Sequence, residues 1–307
     1  MRLVFAGTPD VALPSLDALI SSRHEVVAVL TRPPAPAGRG RTARPSPVQV
    51  RAEELGLPVL APASLREAES LTAVADFAPD CCPVVAYGAL LPPPALAIPA
   101  HGWINLHFSL LPRWRGAAPV QHAIRAGDTE TGATTFRIDE GLDTGPILLQ
   151  EHTHIGEHDT SGELLDRMAV SGAALLVATL DGIEDGTVVA TAQSPDGICL
   201  APRIDVDDAR VDWSAPAHVV DRLIRASTPA PGGWTTLREA RLRLGPVEVT
   251  DLADLAPGEI RAGKRDVLAG TGSTAVRLDT VIAEGKRAMS AADWARGLRL
   301  EPGEAFA

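Results

Sequence analysis

An asparagine and a histidine, Asn105 and His107, stand two positions apart at the end of an apolar run in the 307-residue sequence. Residues with this spacing in a β-strand face the same side, so both side chains point one way from the predicted strand HGWINLHF. An asparagine amide can donate to a developing oxyanion, and a histidine can move protons at neutral pH. An isolated pair of this kind is more often an ordinary polar strand end.

A carboxylate and an apolar loop strengthen the case for chemistry. Asp143 lies between two glycines in EGLDTG, residues 140–145, a turn that can present a carboxylate or simply use it as a local acceptor. The loop VAYGALLP, residues 85–92, follows another predicted strand. It suits a flat hydrophobic ligand, although core leucines in a strand-to-helix loop would give the same pattern.

The elements that must position these residues alternate between strand and helix. RLVFAG, EVVAVLT, LPVLAP, DCCPVVAY and HGWINLHF are predicted strands separated by helices. This order predicts a Rossmann-like, doubly wound α/β domain in which ligands bind at the carboxyl ends of the strands. GATTFRID and PILLQEHTHI predict an antiparallel pair at the sheet edge, and Thr160 with Glu163 predicts the capped start of a long helix.

The C-terminal third has a different pattern. RIDVDDARVDW is acidic and poor in apolar residues, which predicts a linker. Beyond a short helix, ARLRLGPVEV and STAVRLDTV alternate with a period of two, as antiparallel strands with one exposed face do. We therefore expect one domain over residues 1–206 and a small β-domain over residues 207–307.

The composition is that of a soluble globular protein, with 45% hydrophobic and 22% charged residues. No apolar run is long enough for a membrane span, and the apolar start is too short for a signal peptide. Cys81, Cys82 and Cys199 form no CxxC spacing and no even disulfide set, which favours reduced thiols. We expect a cytoplasmic protein that makes no membrane contact and is a monomer.

A cluster of arginines interrupts this acidic chain, whose formal net charge is -11. The segment from Thr31 to Arg51 contains no Asp or Glu, and its arginines are Arg32, Arg39, Arg41, Arg44 and Arg51. Its loop is longer than the usual connection between a strand and a helix, which favours a function. The local positive charge predicts nucleic-acid contact, and a solvated insertion is the alternative.

Several motifs together resemble the methionyl-tRNA formyltransferase family, within the 10-formyltetrahydrofolate-dependent formyltransferases. They are FAGTPD, PAGRGR, PSPVQVRAEELGLPV, VVAYGALLP, NLHFSLLPRWRGAAPVQHAI, EGLDTGPIL, DWSAPAHVVDRLIRA and GKRAMSAADW. The resemblance runs nearly end to end. Two positions depart from it: Phe108 stands where the family often has proline, and Pro146 where an acidic residue is common.

The resemblance implies a function and assigns residues to it. The expected activity is formyl transfer from 10-formyltetrahydrofolate to the amino group of initiator methionyl-tRNA, releasing tetrahydrofolate, and the C-terminal domain is expected to be OB-like. The implied catalytic residues are Asn105, His107 and Asp143. The implied folate-binding residues are Tyr87, Gly88, Leu91, Ser109, Leu110, Leu111, Pro112 and Gly116. The implied tRNA-binding residues are Arg39, Arg41, Arg44, Arg241, Arg243, Lys286 and Arg287, for any of which a plain exposed surface is the alternative.

The chemistry of formyl transfer fits these residue types. The transfer passes through a tetrahedral intermediate whose oxygen becomes negative, so the Asn105 amide would stabilise it. His107 would donate to the same oxygen or protonate the leaving nitrogen. Asp143 would orient His107, raise its basicity and relay a proton from the amine through water. The amine itself is the nucleophile, so no acyl-enzyme is needed.

Other functions remain to be weighed against this one. A formyltransferase for a small amine, or a formyl hydrolase, would share the core motifs but would not need the arginine loop or the C-terminal domain. A dinucleotide-binding regulator would need G-x-G-x-x-G, which FAGTPD lacks. A non-catalytic RNA-binding protein would leave Asn105, His107 and Asp143 without a role. We expect no metal, because His152 and His154 have no evident third ligand.

Overall fold

The computed structural model describes residues 1–37, 42–301 and 303–307. The described chain divides into two compact units. The first comprises Met1–Gly116, Glu130–His154 and Leu165–Ala201, and the second comprises Ala117–Thr129, Ile155–Leu164 and Pro202–Ala307. The expected domain boundary between residues 206 and 207 stays a prediction.

The first unit is built on one large sheet. Its strands are Arg2–Gly7 (β1), Glu25–Leu30 (β2), Ala35–Ala37 (β3), Thr42–Arg44 (β4), Val59–Leu60 (β5), Cys82–Val85 (β6), Trp103–His107 (β7), Glu130–Arg137 (β8) and Ile147–His154 (β9). The sheet order is β5-β2-β1-β6-β7-β8-β9. The pairs from β5 to β7 are parallel, whereas β8 and β9 are antiparallel, as the sequence predicts. Strands β3 and β4 form a separate antiparallel hairpin.

Two of the helices begin at the caps that the sequence predicts. The helices are Leu13–Ile20 (α1), Pro47–Glu54 (α2), Ala68–Ala75 (α3), Pro93–Leu96 (α4), Pro119–Ala126 (α5), Ser161–Glu184 (α6), Ala217–Ala226 (α7) and Ala291–Leu298 (α8). Ser46 caps α2 by accepting the Gln49 N–H at 3.0 Å. At the start of α6, Glu163 Oε2 accepts the Thr160 N–H at 3.0 Å, and Thr160 Oγ1 accepts the Glu163 N–H at 3.3 Å. The predicted capping box is confirmed.

The parallel strands β6 and β7 determine where the loops of the candidate site lie. Strands β6 and β7 are neighbours that run in the same direction, so their carboxyl ends lie together. The predicted strand residues around them are buried, including Cys82, Val85, Trp103 and Leu106. The parallel sheet therefore presents the loops after β6 and β7 at the same edge, where α/β sheets bind ligands.

The second unit is an antiparallel β-domain with helices. Its strands are Trp234–Leu237 (β10), Ala240–Leu244 (β11), Val247–Val249 (β12), Ile260–Ala262 (β13), Val267–Ala269 (β14), Val276–Leu278 (β15), Thr280–Ala283 (β16) and Met289–Ser290 (β17). They form two sheets, β10-β11-β16-β17 and β12-β15-β14-β13. Leu242, Val267, Val276 and Trp294 belong to their common core, which confirms the predicted small β-domain.

The predicted linker is wrong at its C-terminal end. Val211 and Trp213 are buried in the core of the second unit, at 3% and 5% exposure. The Val211 N–H donates to the Trp234 carbonyl at 2.8 Å, and the Trp213 indole N–H donates to Thr235 Oγ1 at 2.9 Å. Charges between the apolar residues obscured their alternation. In the described part of the chain, no helix combines the length and hydrophobicity that a membrane crossing requires.

Candidate active site

Strand β7 carries Asn105 and His107 to the edge of the sheet. Asn105 lies in register with Val84 of β6 and Phe136 of β8 and is half-buried. Among the described residues, no group hydrogen-bonds the Asn105 side chain. A half-buried amide without a protein partner is a donor open to a ligand, as the predicted oxyanion role requires.

His107 is buried, with 5% of its surface exposed, and its two ring nitrogens have different surroundings. Nε2 lies 2.9 Å from the Trp114 carbonyl oxygen, and since a carbonyl only accepts, Nε2 carries the proton. Nδ1 faces Asp143 Oδ2 at 3.7 Å, beyond hydrogen-bond distance. The Phe136 ring forms a T-shaped pair with the imidazole, at a centroid distance of 6.4 Å.

These surroundings set the charge of the imidazole. Burial lowers the pKa of His107 below its ordinary value of 6.5, while Asp143 and the Trp114 carbonyl oppose this in part. His107 is therefore neutral at pH 7, with the lone pair of Nδ1 turned towards Asp143. A proton gained on Nδ1 would be stabilised by the carboxylate beside it.

Asp143 lies in the loop between β8 and β9, close to His107 at the end of β7. Asp143 has a φ of +52°, in the left-handed region that non-glycine residues seldom adopt. Its Oδ2 accepts the Gly116 N–H at 2.7 Å, so the carboxylate is tied to the loop that follows β7. Asp139 stabilises the turn by accepting the Thr144 hydroxyl at 2.6 Å and the Gly141 N–H at 3.0 Å. The three predicted catalytic residues thus lie at one place.

The loop Ser109–Gly116 is held from within the protein. The buried Ser109 hydroxyl donates to the Arg113 carbonyl at 2.6 Å. Leu111 is buried, whereas Leu110 and Pro112 are half-buried. Gly116 has a φ of +127°, and a Cβ there would lie 2.6 Å from the Ala201 carbonyl oxygen. Any other residue at position 116 would displace the backbone that donates to Asp143.

Two polar residues that hold this loop were missed in the sequence. Thr134 of β8 donates to the Ser109 carbonyl at 2.6 Å and accepts the Leu111 N–H at 3.1 Å. Gln150 of β9, in register with Thr134, donates to the Leu111 carbonyl at 3.0 Å. No sequence signal singled them out, because Thr134 is one of three threonines in β8 and inward-facing threonine is common in strands.

The loop after β6 differs from the simple apolar surface that the sequence suggests. Tyr87 is buried in the core of the first unit, and its carbonyl accepts the Thr8 hydroxyl at 2.8 Å. Gly88, with a φ of +79°, is exposed, and Leu91 packs partly against the same core. Leu90 is 81% exposed. The residue that offers apolar surface here is therefore Leu90, which was not among the predicted folate contacts.

The predicted tRNA contacts fall into several places. Arg39 and Arg41 lie outside the described residues, and Arg44 is exposed on β4. Arg51, counted in the positive segment, pairs with Asp17 at 2.9 Å and Glu54 at 3.2 Å. The positive charge of this segment is therefore smaller near α2 than the sequence suggests.

The other predicted tRNA contacts belong to the second unit. On β11 the Arg241 guanidinium lies 4.2 Å from the centre of the Trp234 ring, and Arg243 donates to the Pro229 carbonyl at 3.0 Å. Both side chains are half-buried on the face opposite Leu242. Lys286 and Arg287 are exposed in the turn between β16 and β17, just before α8. Arg243 thus has a local structural partner, whereas the turn presents two open cations.

One group of described side chains has the spacing to hold a metal ion. Within the described chain, the His24, Asp181 and Glu184 side chains come close enough to share an ion. Arg23 pairs with both carboxylates of that group, at 2.5 Å and 3.3 Å. His152 and His154 are exposed on β9. None of the proposed catalytic residues belongs to the group.

Comparison with known proteins identifies the family. Residues 1–180 match the family described as "Formyl transferase", and residues 203–299 match "Formyl transferase, C-terminal domain". The chain belongs to the formyl transferase family. It is 61% identical over 306 residues to a protein named methionyl-tRNA formyltransferase from Streptomyces coelicolor, covering 99% of both chains. It is 60% identical to the protein of that name from Thermobifida fusca, covering 100% of this chain and 99% of that one.

Solved structures support the same fold. An N-formyltransferase from Helicobacter canadensis, solved with folinic acid and dTDP-3-aminofucose, matches with a TM-score of 0.67 and 18% identity, covering 91% of this chain and 98% of that one. Phosphoribosylglycinamide formyltransferase from Bacillus halodurans matches with a TM-score of 0.51 and 26% identity, covering 59% and 93%. The formyltransferase fold predicted from the motifs is confirmed.

Proposed function

We propose that this chain transfers a formyl group from 10-formyltetrahydrofolate to the α-amino group of methionine on initiator methionyl-tRNA. The observation that carries the proposal is the end-to-end similarity, near 60% identity, to methionyl-tRNA formyltransferases. The match includes the C-terminal domain. The second unit alone does not separate tRNA from small-amine substrates, because the N-formyltransferase solved with dTDP-3-aminofucose matches 91% of this chain; the identity near 60% to methionyl-tRNA formyltransferases is what favours tRNA.

Asn105 acts on the formyl oxygen. Its amide has no hydrogen-bond partner among the described residues, and it lies at the carboxyl end of a strand, beside the loop after β6. As the amine attacks the formyl carbon, negative charge develops on the oxygen. A fixed amide N–H stabilises that charge more than it stabilises the ground state, which lowers the barrier.

His107 and Asp143 handle the proton that the attacking amine loses. The neutral imidazole, with Nε2–H held by the Trp114 carbonyl, has its Nδ1 lone pair 3.7 Å from Asp143 Oδ2. A proton taken up by this pair, directly or through water, is stabilised as an imidazolium beside a carboxylate. The new C–N bond has formed by then, and the pair gives the proton to the leaving nitrogen as the tetrahedral intermediate collapses and the old C–N bond breaks. No enzyme nucleophile takes part.

The folate substrate is expected to bind between the loops that follow β6 and β7. The proposed contacts are those named from the sequence, Tyr87, Gly88, Leu91, Ser109, Leu110, Leu111, Pro112 and Gly116, with Leu90 added. Exposed Leu90 and the left-handed backbone at Gly88 offer apolar surface and close backbone approach. Because Tyr87 and Ser109 are buried, their contribution would come through the backbone.

Recognition of the tRNA is assigned to the arginine segment and to the second unit. Arg39, Arg41 and Arg44 supply the positive charge of the segment, and of these three Arg44 lies exposed on β4. Lys286 and Arg287 supply exposed cations in the second unit. Contacts of this kind position a phosphate backbone without reading its sequence.

The decisive experiment offers one formyl donor and several acceptors. Purified protein is incubated with 10-formyltetrahydrofolate and, separately, with methionyl initiator tRNA, methionyl elongator tRNA and glycinamide ribonucleotide. We expect rapid formylation of the initiator tRNA alone. Preferential formylation of glycinamide ribonucleotide, or release of free formate without an acceptor, would replace this proposal with the small-amine transferase or the hydrolase.

A further inference from the structure

The segment of residues 191–201 runs beside the proposed active site, although it lies outside both matched family regions, 1–180 and 203–299. We call it the connecting segment. Its backbone is tied at both ends. Thr191 exchanges hydrogen bonds of 2.8 Å with Ile147 of β9, the Arg115 N–H donates to the Cys199 carbonyl at 3.0 Å, and the Ala201 N–H donates to the Arg115 carbonyl at 2.7 Å.

One side chain of this segment turns inward. Most of residues 191–200 are exposed, but Gln193 is half-buried. Its Nε2 donates to the carbonyls of Asp143 at 2.7 Å and Gly145 at 2.8 Å. Its Oε1 accepts from Arg115, at 3.0 Å from Nε and 2.6 Å from Nη2. A single amide thus joins the turn of Asp143 to the loop that follows β7.

The orientation of this amide follows from its partners. A guanidinium only donates and a carbonyl only accepts, so the Gln193 oxygen must face Arg115 and its nitrogen must face the turn. The carbonyl that it holds belongs to Asp143, whose φ of +52° is unfavourable for an aspartate. Such a conformation persists only where the surrounding contacts fix it. Gln193 supplies two of those contacts.

We propose that Gln193 is a positioning residue for formyl transfer, which holds the Asp143 turn so that the carboxylate stays beside Nδ1 of His107. This inference rests on the proposed function. Gln193 touches no reacting atom. It acts through Asp143, whose other tether, the Gly116 N–H at 2.7 Å, fixes the carboxylate but not the turn's backbone. Losing the amide removes the two hydrogen bonds to the carbonyls of Asp143 and Gly145, so the left-handed backbone at Asp143 is held only by the Asp139 contacts and the carboxylate.

Two variants of Gln193 distinguish its bonds to the Asp143 turn from its bonds to Arg115. Gln193→Glu keeps oxygens that accept from Arg115 but loses both donors to the turn, whereas Gln193→Leu loses both connections. Ser194→Ala changes the next residue, which is exposed and whose hydroxyl accepts only a local bond from the Asp196 N–H at 3.0 Å, so it serves as the matched control. Melting temperatures identify any variant that fails to fold.

The expected result is a loss of kcat in both Gln193 variants on the order of 10- to 100-fold, with KM for the tRNA nearly unchanged. Ser194→Ala should match the wild type. If only the link to Arg115 mattered, Gln193→Glu would retain the wild-type kcat, and that result would overturn the proposal.

An NMR titration of His107 tests the role of Gln193 without measuring formyl transfer, so its result does not depend on the proposed function. The ring signals of His107, followed by NMR against pH, report how close the Asp143 carboxylate lies. Since that carboxylate raises the pKa of His107, Gln193→Leu, which adds no charge of its own, should titrate at lower pH than the wild type and Ser194→Ala. An unchanged titration in Gln193→Leu would sink the positioning role, whichever amine the enzyme formylates.

Discussion

Replacing Asn105 by alanine isolates the catalytic contribution of one amide. In most active sites, removing a polar side chain leaves a former partner buried and unsatisfied, so stability and activity change together. The Asn105 side chain is half-buried and has no hydrogen-bond partner among the described residues. Its removal therefore breaks no bond within the described protein. We expect the free energy of unfolding to change by no more than about 1 kcal/mol.

The catalytic effect should be much larger. Loss of one oxyanion donor raises the barrier by about 3 to 4 kcal/mol, which corresponds to roughly a 100- to 1000-fold fall in kcat. KM for both substrates should change little, because the amide interacts more strongly with the transition state than with the bound substrate. Asn105→Asp, which is nearly the same size but presents only acceptors, should lose at least as much activity.

The assay pairs single-turnover formylation of methionyl initiator tRNA with denaturant unfolding of each variant. Ile104→Val on the same strand is the matched control: Ile104 is fully buried, so this variant should lose about 1 kcal/mol of stability and keep its kcat. A kcat within about threefold of wild type for Asn105→Ala would refute the oxyanion assignment. A loss of stability larger than that of Ile104→Val would show that Asn105 supports the fold instead.

Four further outcomes are expected. Because burial lowers the pKa of His107, kcat/KM should fall on the acid side with an apparent pKa below 6.5, and His107→Gln should abolish this limb of the pH–rate profile. Because the pKa of His107 is lower in the folded protein, the unfolded chain protonates this imidazole at higher pH than the folded protein does. The free energy of unfolding, measured by denaturant titration, should therefore decline as pH falls through about 6.5, and it should decline less in His107→Gln. An equal decline in both proteins would contradict a lowered pKa for His107. Gly116→Ala places a Cβ 2.6 Å from the Ala201 carbonyl oxygen, so it should lower both melting temperature and kcat, and a wild-type result for both would show that the loop yields freely. Arg39→Ala and Arg44→Ala should each weaken tRNA binding and flatten its salt dependence by about one unit of slope, while folate binding stays constant; unchanged salt slopes would leave the segment as a solvated insertion.

Local patterns in the sequence were enough for the order of the elements in the parallel sheet, but not for the β3–β4 hairpin. Apolar runs predicted the strands β1, β2, β6 and β7, and the caps at Ser46 and Thr160 predicted the helix starts. These signals are read within a few residues, because a strand's burial and a helix's first turn depend on near neighbours. The prediction was wrong where acidic and apolar residues alternate closely: Val211 and Trp213 lie in an acidic stretch that was predicted as a linker, but both are buried.

The sequence by itself determined that Asn105 and His107 share a strand face, and the resemblance to the family implied that Asp143, in its glycine-flanked turn, joins them. Only the tertiary structure decided how they are held. The Trp114 carbonyl fixes the proton on Nε2 of His107, and Gln193 joins a turn 50 residues away to a loop 78 residues away. Hydrogen bonds over such separations depend on the path of the whole chain, and no periodicity or spacing in the sequence encodes them.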